Sequence, residues 1–335
     1  MSFENILSDL TIGEKQQAGI MSVYPLIGKD ILGVCEFNKI SFLRTSSYGS
    51  MEFLNDSSDC FIMPSGYSII SKQAAQDHGL PLAALIRPQT NTINYACCIQ
   101  QTQGGYLSGK KIDQNKFNFL PLDIRKSFLK SVVNDNDKYV LLTIEFSQLW
   151  EHISAFQASL IKRNQANLVL FFNAFMGQLL KFTAEFERVP NQRGAIVCIN
   201  NRIVGIEITP SESYFHHIWH ALIRDCYGSE IVRIAKLNLI KEFETYQEST
   251  LDLDKCETIE DIKKAISLVS NKDKEGIRYK VEEISSLETN SVDSRKLSND
   301  QKNICYELQY TVDKKYVAES FHVDNKLAYL SLLNI

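Results

Sequence analysis

Residues 194–228 read GAIVCINNRIVGIEITPSESYFHHIWHALIRDCYG, and this stretch decides the fold. Ala195–Ile199 and Arg202–Ile208 are apolar runs flanking Asn200-Asn201. Asparagine tolerates positive φ, so the pair predicts a two-residue hairpin turn. The first run is apolar on both faces, which predicts a central, covered strand. Thr209-Pro210-Ser211-Glu212 carries the signs of a helix start: a Thr cap, Pro at the first position and Glu three residues after the cap. Phe215, Ile218, Trp219, Leu222, Ile223 and Cys226 follow with helical spacing as one buried stripe, and Gly228 is placed to end the helix.

Working outward, the 100 or so residues at the N-terminal end show strand signals and no sustained helical period. Met21–Ile27 and Ile31–Phe37 are short apolar runs. Residues 49–66 read as strand, polar turn and strand, the turn being Asn55–Asp59. Leu82–Ile86 and Ile93–Ile99 are strand candidates around a turn at Arg87–Asn91. Residues 110–138 give no assignment. From Ser147 the period becomes helical, with Leu149, Ile153, Phe156 and Leu160 on one face. After a break at Asn164–Asn167, a longer helix carries Leu168, Phe171, Phe172, Phe175, Leu179, Phe182 and Phe186, with Pro190 as its terminator.

Beyond Ile240, Thr258–Asp261 caps an amphipathic helix and Ile277, Tyr279 and Val281 alternate as a strand. Residues 285–303 are rich in Ser, Asn, Asp and Lys and read as a mobile, exposed loop. Three strand signals close the chain: Ile304–Val312, Tyr316–Val323 and Leu327–Leu333. The class is therefore α+β: a β-rich N-terminal part, central helices, the hairpin–helix unit and a C-terminal β-hairpin in one integrated domain. Residues 1–240 form the expected core, and 241–335 a helix and strands that close onto it.

Composition narrows the function. Thirty-six basic and 40 acidic residues leave a net charge of −4, and no dense basic cluster appears, which argues against nucleic acid as a partner. No apolar run approaches the roughly 18 residues of a membrane span, and the N-terminus lacks the pattern of a signal peptide. The eight cysteines form no CxxC pair and mostly sit in apolar runs, so reduced, buried thiols in a cytoplasmic protein are expected.

The chain contains no GxSxG, P-loop or GxGxxG signature. His216 and His220 are four apart, the spacing of two metal ligands on one helix face, but the Phe215–Cys226 stripe puts them on the polar side. They stand as weak metal candidates, and neither a metal nor a cofactor is predicted. Cys97-Cys98 lies in an apolar run, where thiols are ordinarily inert.

Laid out in this way, the chain resembles the family called ADP-ribosylglycohydrolase and rhodanese-phosphatase-superfamily-associated protein domain. Residues 192–232, QRGAIVCINNRIVGIEITPSESYFHHIWHALIRDCYGSEIV, are similar to its Gly-Ala strand, short turn, Val-Gly strand and helix with Phe and Trp four apart, here Phe215 and Trp219. Val23-Tyr24-Pro25-Leu26, Asn55–Gly66, Lys72-Gln73, Cys98–Gln101 with Tyr106, and the terminal hairpin Ala318–Leu333 resemble it more loosely. Two departures stand out. Tyr67-Ser68 follow Gly66 where the family often has acids, and Ala74-Ala75 follow Lys72-Gln73 where it often has Asn-Arg.

By its name, the resemblance implies neighbours in ADP-ribose chemistry and in conflict systems such as phage defence. The expected function is a non-catalytic ligand-binding or interaction component. Its expected partners are an effector protein encoded nearby and a nucleotide or ADP-ribose-type ligand. Lys72, Gln73, Gly104, Gly105 and Tyr106 are the expected ligand-binding residues. The alternative is a hydrolase of unrecognised type acting on a nucleotide or ADP-ribosyl group. Neither a catalytic residue nor an oligomeric state is assigned.

Overall fold

The structure is a computed structural model that describes residues 9–45, 49–69, 77–101, 118–132, 146–161, 166–237, 277–280, 306–312, 316–324 and 326–334. Its α-helices are α1 (Leu122–Val132), α2 (Phe146–Ile161), α3 (Leu168–Thr183), α4 (Glu212–Ala221) and α5 (Gly228–Leu237), and a π-helical segment, Leu222–Tyr227, joins α4 to α5. With several antiparallel sheets beside these helices, the fold is α+β. The chain divides into two compact units. One comprises Met1–Gly33, Glu185–His217 and Ile240–Ile335; the other comprises Val34–Ala184 and Ile218–Leu239.

The first unit is built on a nine-stranded antiparallel sheet. Its order is Leu10–Ile12, Met21–Gly28, Gln192–Ile199, Arg202–Ile208, Lys326–Asn334, Tyr316–Val323, Tyr306–Val312 and Ile277–Lys280, with Gln16–Ala18 also paired to Met21–Gly28. Gln192–Ile199 is buried at every position, as its two-faced apolar pattern requires. The turn that follows has φ 49° at Asn200 and 59° at Asn201, the left-handed geometry of a tight hairpin. One face of the sheet carries Tyr24, Leu26, Ile196, Ile206, Leu330 and Leu332 as a core. Each such side chain contributes roughly 1.5–3 kcal/mol by leaving water.

Arg193 ties this unit together. Its guanidinium is buried and donates to three carbonyls, Thr209 O at 2.9 Å, Lys29 O at 2.7 Å and Leu327 O at 3.2 Å. Burial pushes its pKa down to about 10, with Asp30 and Asp9 pulling the other way.

The helix start lies two residues further on than the sequence suggested. The Thr209 hydroxyl is buried and donates to Arg193 O at 2.8 Å and Ser211 O at 3.1 Å, so it is committed to the sheet. Ser211 caps α4 instead, its Oγ accepting from Tyr214 N at 3.0 Å. The Asp30 side chain accepts from Glu212 N at 3.0 Å, satisfying a second free donor of the helix end. The other end is also corrected. Gly228 does not stop the helix: its φ is −60°, it donates to Ile223 O, and α5 begins there. A Cβ on Gly228 would lie 2.9 Å from Ile223 O and 3.1 Å from Leu179 Cδ2, so the glycine serves close packing and not a left-handed cap.

In the second unit the strands are short. Residues 49–66 do form two strands, Met51–Asn55 and Phe61–Met63, but these do not pair with each other. Met51–Asn55 lies between Ile40–Arg44 and Gln89–Ile93, and Phe61–Met63 pairs with Ala84–Ile86. Asn55 explains the separation. Its amide donates to Asp59 O at 2.8 Å and Ile86 O at 3.1 Å, while its Oδ1 accepts from Ser57 Oγ at 2.8 Å. The expected Arg87–Asn91 turn is strand from Gln89 onward. The 31–37 run is not a strand; it holds one bridge, Val34 to Cys60, and enters a short 3-10 turn at Phe37–Lys39.

The helical layer of this unit matches its aromatic period. Phe171 sits at 5.1 Å from Phe156 and 5.2 Å from Phe175, ring to ring. Asn167 caps α3 by accepting from Val169 N at 3.0 Å, and α3 ends at Thr183, short of Pro190. α1 fills part of the stretch that gave no sequence assignment. The helix expected near Thr258 and the loop expected at 285–303 lie outside the described residues.

Candidate functional site

One set of polar groups in the second unit gathers around the N-terminus of α1, the π segment and a four-stranded sheet. That sheet has the order Cys97–Cys98, His78–Gly79, Tyr67–Ile69, Asn118–Phe119. Gly66, at φ 77°, turns the chain into it, with Gly66 N donating to Leu80 O and Gly66 O accepting from Leu120 N, both at 2.8 Å. Ser68 pairs with both Gly79 and Asn118, so the strand Tyr67–Ile69 is held on both sides.

Arg125, from α1, lies buried behind that turn. Its Nη2 donates to Ser65 Oγ and its Nη1 to Cys226 Sγ, each at 3.2 Å, and its guanidinium stacks 5.5 Å from the centre of the Phe119 ring. Gly66 makes room for it.

Asp225 lies within the π segment and is fully buried. Its carboxylate accepts from Phe119 N at 3.1 Å and takes both Nε and Nη2 of Arg224, the latter at 2.7 Å. Arg224 also donates to Asn118 Oδ1 at 3.3 Å. Burial raises the Asp225 carboxyl above its ordinary range, against the pull of Arg224 and the Phe119 amide. π-helical turns recur at functional sites because they aim side chains that an α-helix would place elsewhere. Here the turn brings a carboxylate onto the strand Asn118–Phe119 and a thiol onto Arg125.

A second group reaches solvent. Asp123, in the first turn of α1, meets His152 of α2, with 2.9 Å between Oδ2 and Nε2. The His152 and Asp123 side chains are 39% and 31% exposed. Arg233 of α5 grips Glu230 through two bonds, 2.8 Å and 2.7 Å. Burial alone would raise the Asp123 carboxyl, but the hydrogen bond and charge of His152, with Arg233 and Lys126, bring it below its usual range.

Cys98 stands opposite His78 in the ladder, and Asp77 precedes that histidine, so the residue types of a nucleophilic triad occur side by side. The thiol is not activated. Burial pushes it above its ordinary value; the Gln100 carbonyl, 3.3 Å away, opposes that shift and Asp77 adds to it. Cys97 is pushed up further, by burial and by Cys98. Both are free thiols, as expected.

Lys72, Gln73, Gly104, Gly105 and Tyr106 lie outside the described residues. His216 and His220 are exposed on α4. Partial burial and Arg188 lower the His216 pKa, with Glu212 opposing. Among the described residues no group of three or more His, Cys, Asp and Glu side chains could hold a metal ion. Asp123, Arg125, His152, Asp225 and Arg233 formed no motif in the sequence. The available signal was Arg125 itself, a charge on the apolar stripe Leu122–Arg125–Phe128.

An α+β protein with a buried arginine, a buried carboxylate in a π turn and a solvent-facing Asp–His pair is the class that this geometry defines. More particularly, the chain belongs to the family described as the ARG and Rhodanese-Phosphatase-superfamily-associated Protein domain, which matches residues 9–306. No curated protein and no solved structure matches the chain. Among the described residues no helix is long and apolar enough to cross a membrane.

Proposed function

We propose that this chain is a ligand-binding or interaction component that works beside an effector that processes NAD or ADP-ribose, in prokaryotic conflict or phage defence, and that it leaves the processing chemistry to that effector. The family description carries this reading: it defines the domain by its association with other proteins and names no reaction of its own. The ADP-ribosylglycohydrolase sense of its first word, and a cytoplasmic setting, belong to the same proposal.

A thermal-shift titration of the purified chain with ADP-ribose and NAD tests it. A ligand at about 100 times its dissociation constant stabilises the folded state by about 2.7 kcal/mol. Turnover of NAD or ADP-ribose by the chain alone, abolished by a single substitution, would overturn it. One observation favours a second reading, a hydrolase acting on a nucleotide or ADP-ribosyl group: Asp123 and His152 form an oriented acid–base pair that reaches solvent.

A further inference from the structure

No further inference is drawn: the strongest candidate, the row of buried Glu207, Ser331 and Glu319 across three neighbouring strands of the nine-stranded sheet, is a cluster of acidic residues, and no second observation among the described residues points to a ligand for it.

Discussion

Gly66 and Arg125 occupy one space between them: a Cβ built on Gly66 would lie 2.7 Å from both Cδ and Nε of Arg125. Gly66 also sits at φ 77°, where side chains are strained. Gly66→Ala is therefore expected to destabilise the fold by about 1–3 kcal/mol, read as a lower urea midpoint. Gly177, midway along α3 with nothing within 4 Å of its built Cβ, is the contrast. Gly177→Ala should raise stability by up to about 1 kcal/mol through helix propensity alone.

The Asp225–Arg224 pair is expected to behave as a buried ion pair. Removing its acid takes the counter-charge from Arg224, whose side chain is only 18% exposed, and leaves the Phe119 amide without that acceptor. Asp225→Ala should cost about 3–5 kcal/mol in denaturant unfolding. Asp225→Asn should cost less, because the amide oxygen can still accept from Phe119.

Acid should separate two carboxyls of opposite sign. The folded-state value of Asp123 lies below the unfolded one, so its contribution is present above about pH 4 and fades as pH falls through the folded value. The folded-state value of Asp225 lies above the unfolded one, so it favours the fold at low pH, and that contribution is lost as pH rises through the folded value. The stability difference between wild type and Asp123→Asn is expected to shrink as pH falls from 7 towards 3, measured by urea midpoints across that range. A constant difference would show that the carboxyl does not titrate as its surroundings dictate.

Cys97 and Cys98 should resist alkylation in the native protein. Both are buried, and both thiols are held above their ordinary values, so little thiolate forms at pH 8. Peptide mass spectrometry after iodoacetamide treatment is expected to find both residues unlabelled until denaturant is added.

The sequence was most legible where local chemistry and burial agree. Asn200-Asn201 permits few turns other than the one found, and Phe215 and Trp219 have no exposure at all. It was less legible where one group had two uses available. Thr209 looks like a helix cap, yet the carbonyl of Arg193 claims its hydroxyl. Gly228 looks like a stop, yet it is a packing contact inside a continuing helix. The site was hidden for another reason. Asp123, His152 and Arg233 come from three helices far apart in the chain, and no spacing rule joins them. Arg125 carried the one usable signal, because a charge on an apolar stripe must find partners or stay in water, but its stretch had no assignment in the sequence.

The π turn at Leu222–Tyr227 sets the phase of everything downstream. An α-helix advances about 100° per residue, so one residue more or fewer rotates the rest of the helix by that angle. Deleting one residue from this segment would restore regular α geometry and swing Glu230 and Arg233 away from Asp123. The local helix would be more regular, while α5 would turn a different side toward α1. In this respect the segment works as a one-residue spacer, and its length sets which face of α5 meets the Asp–His pair.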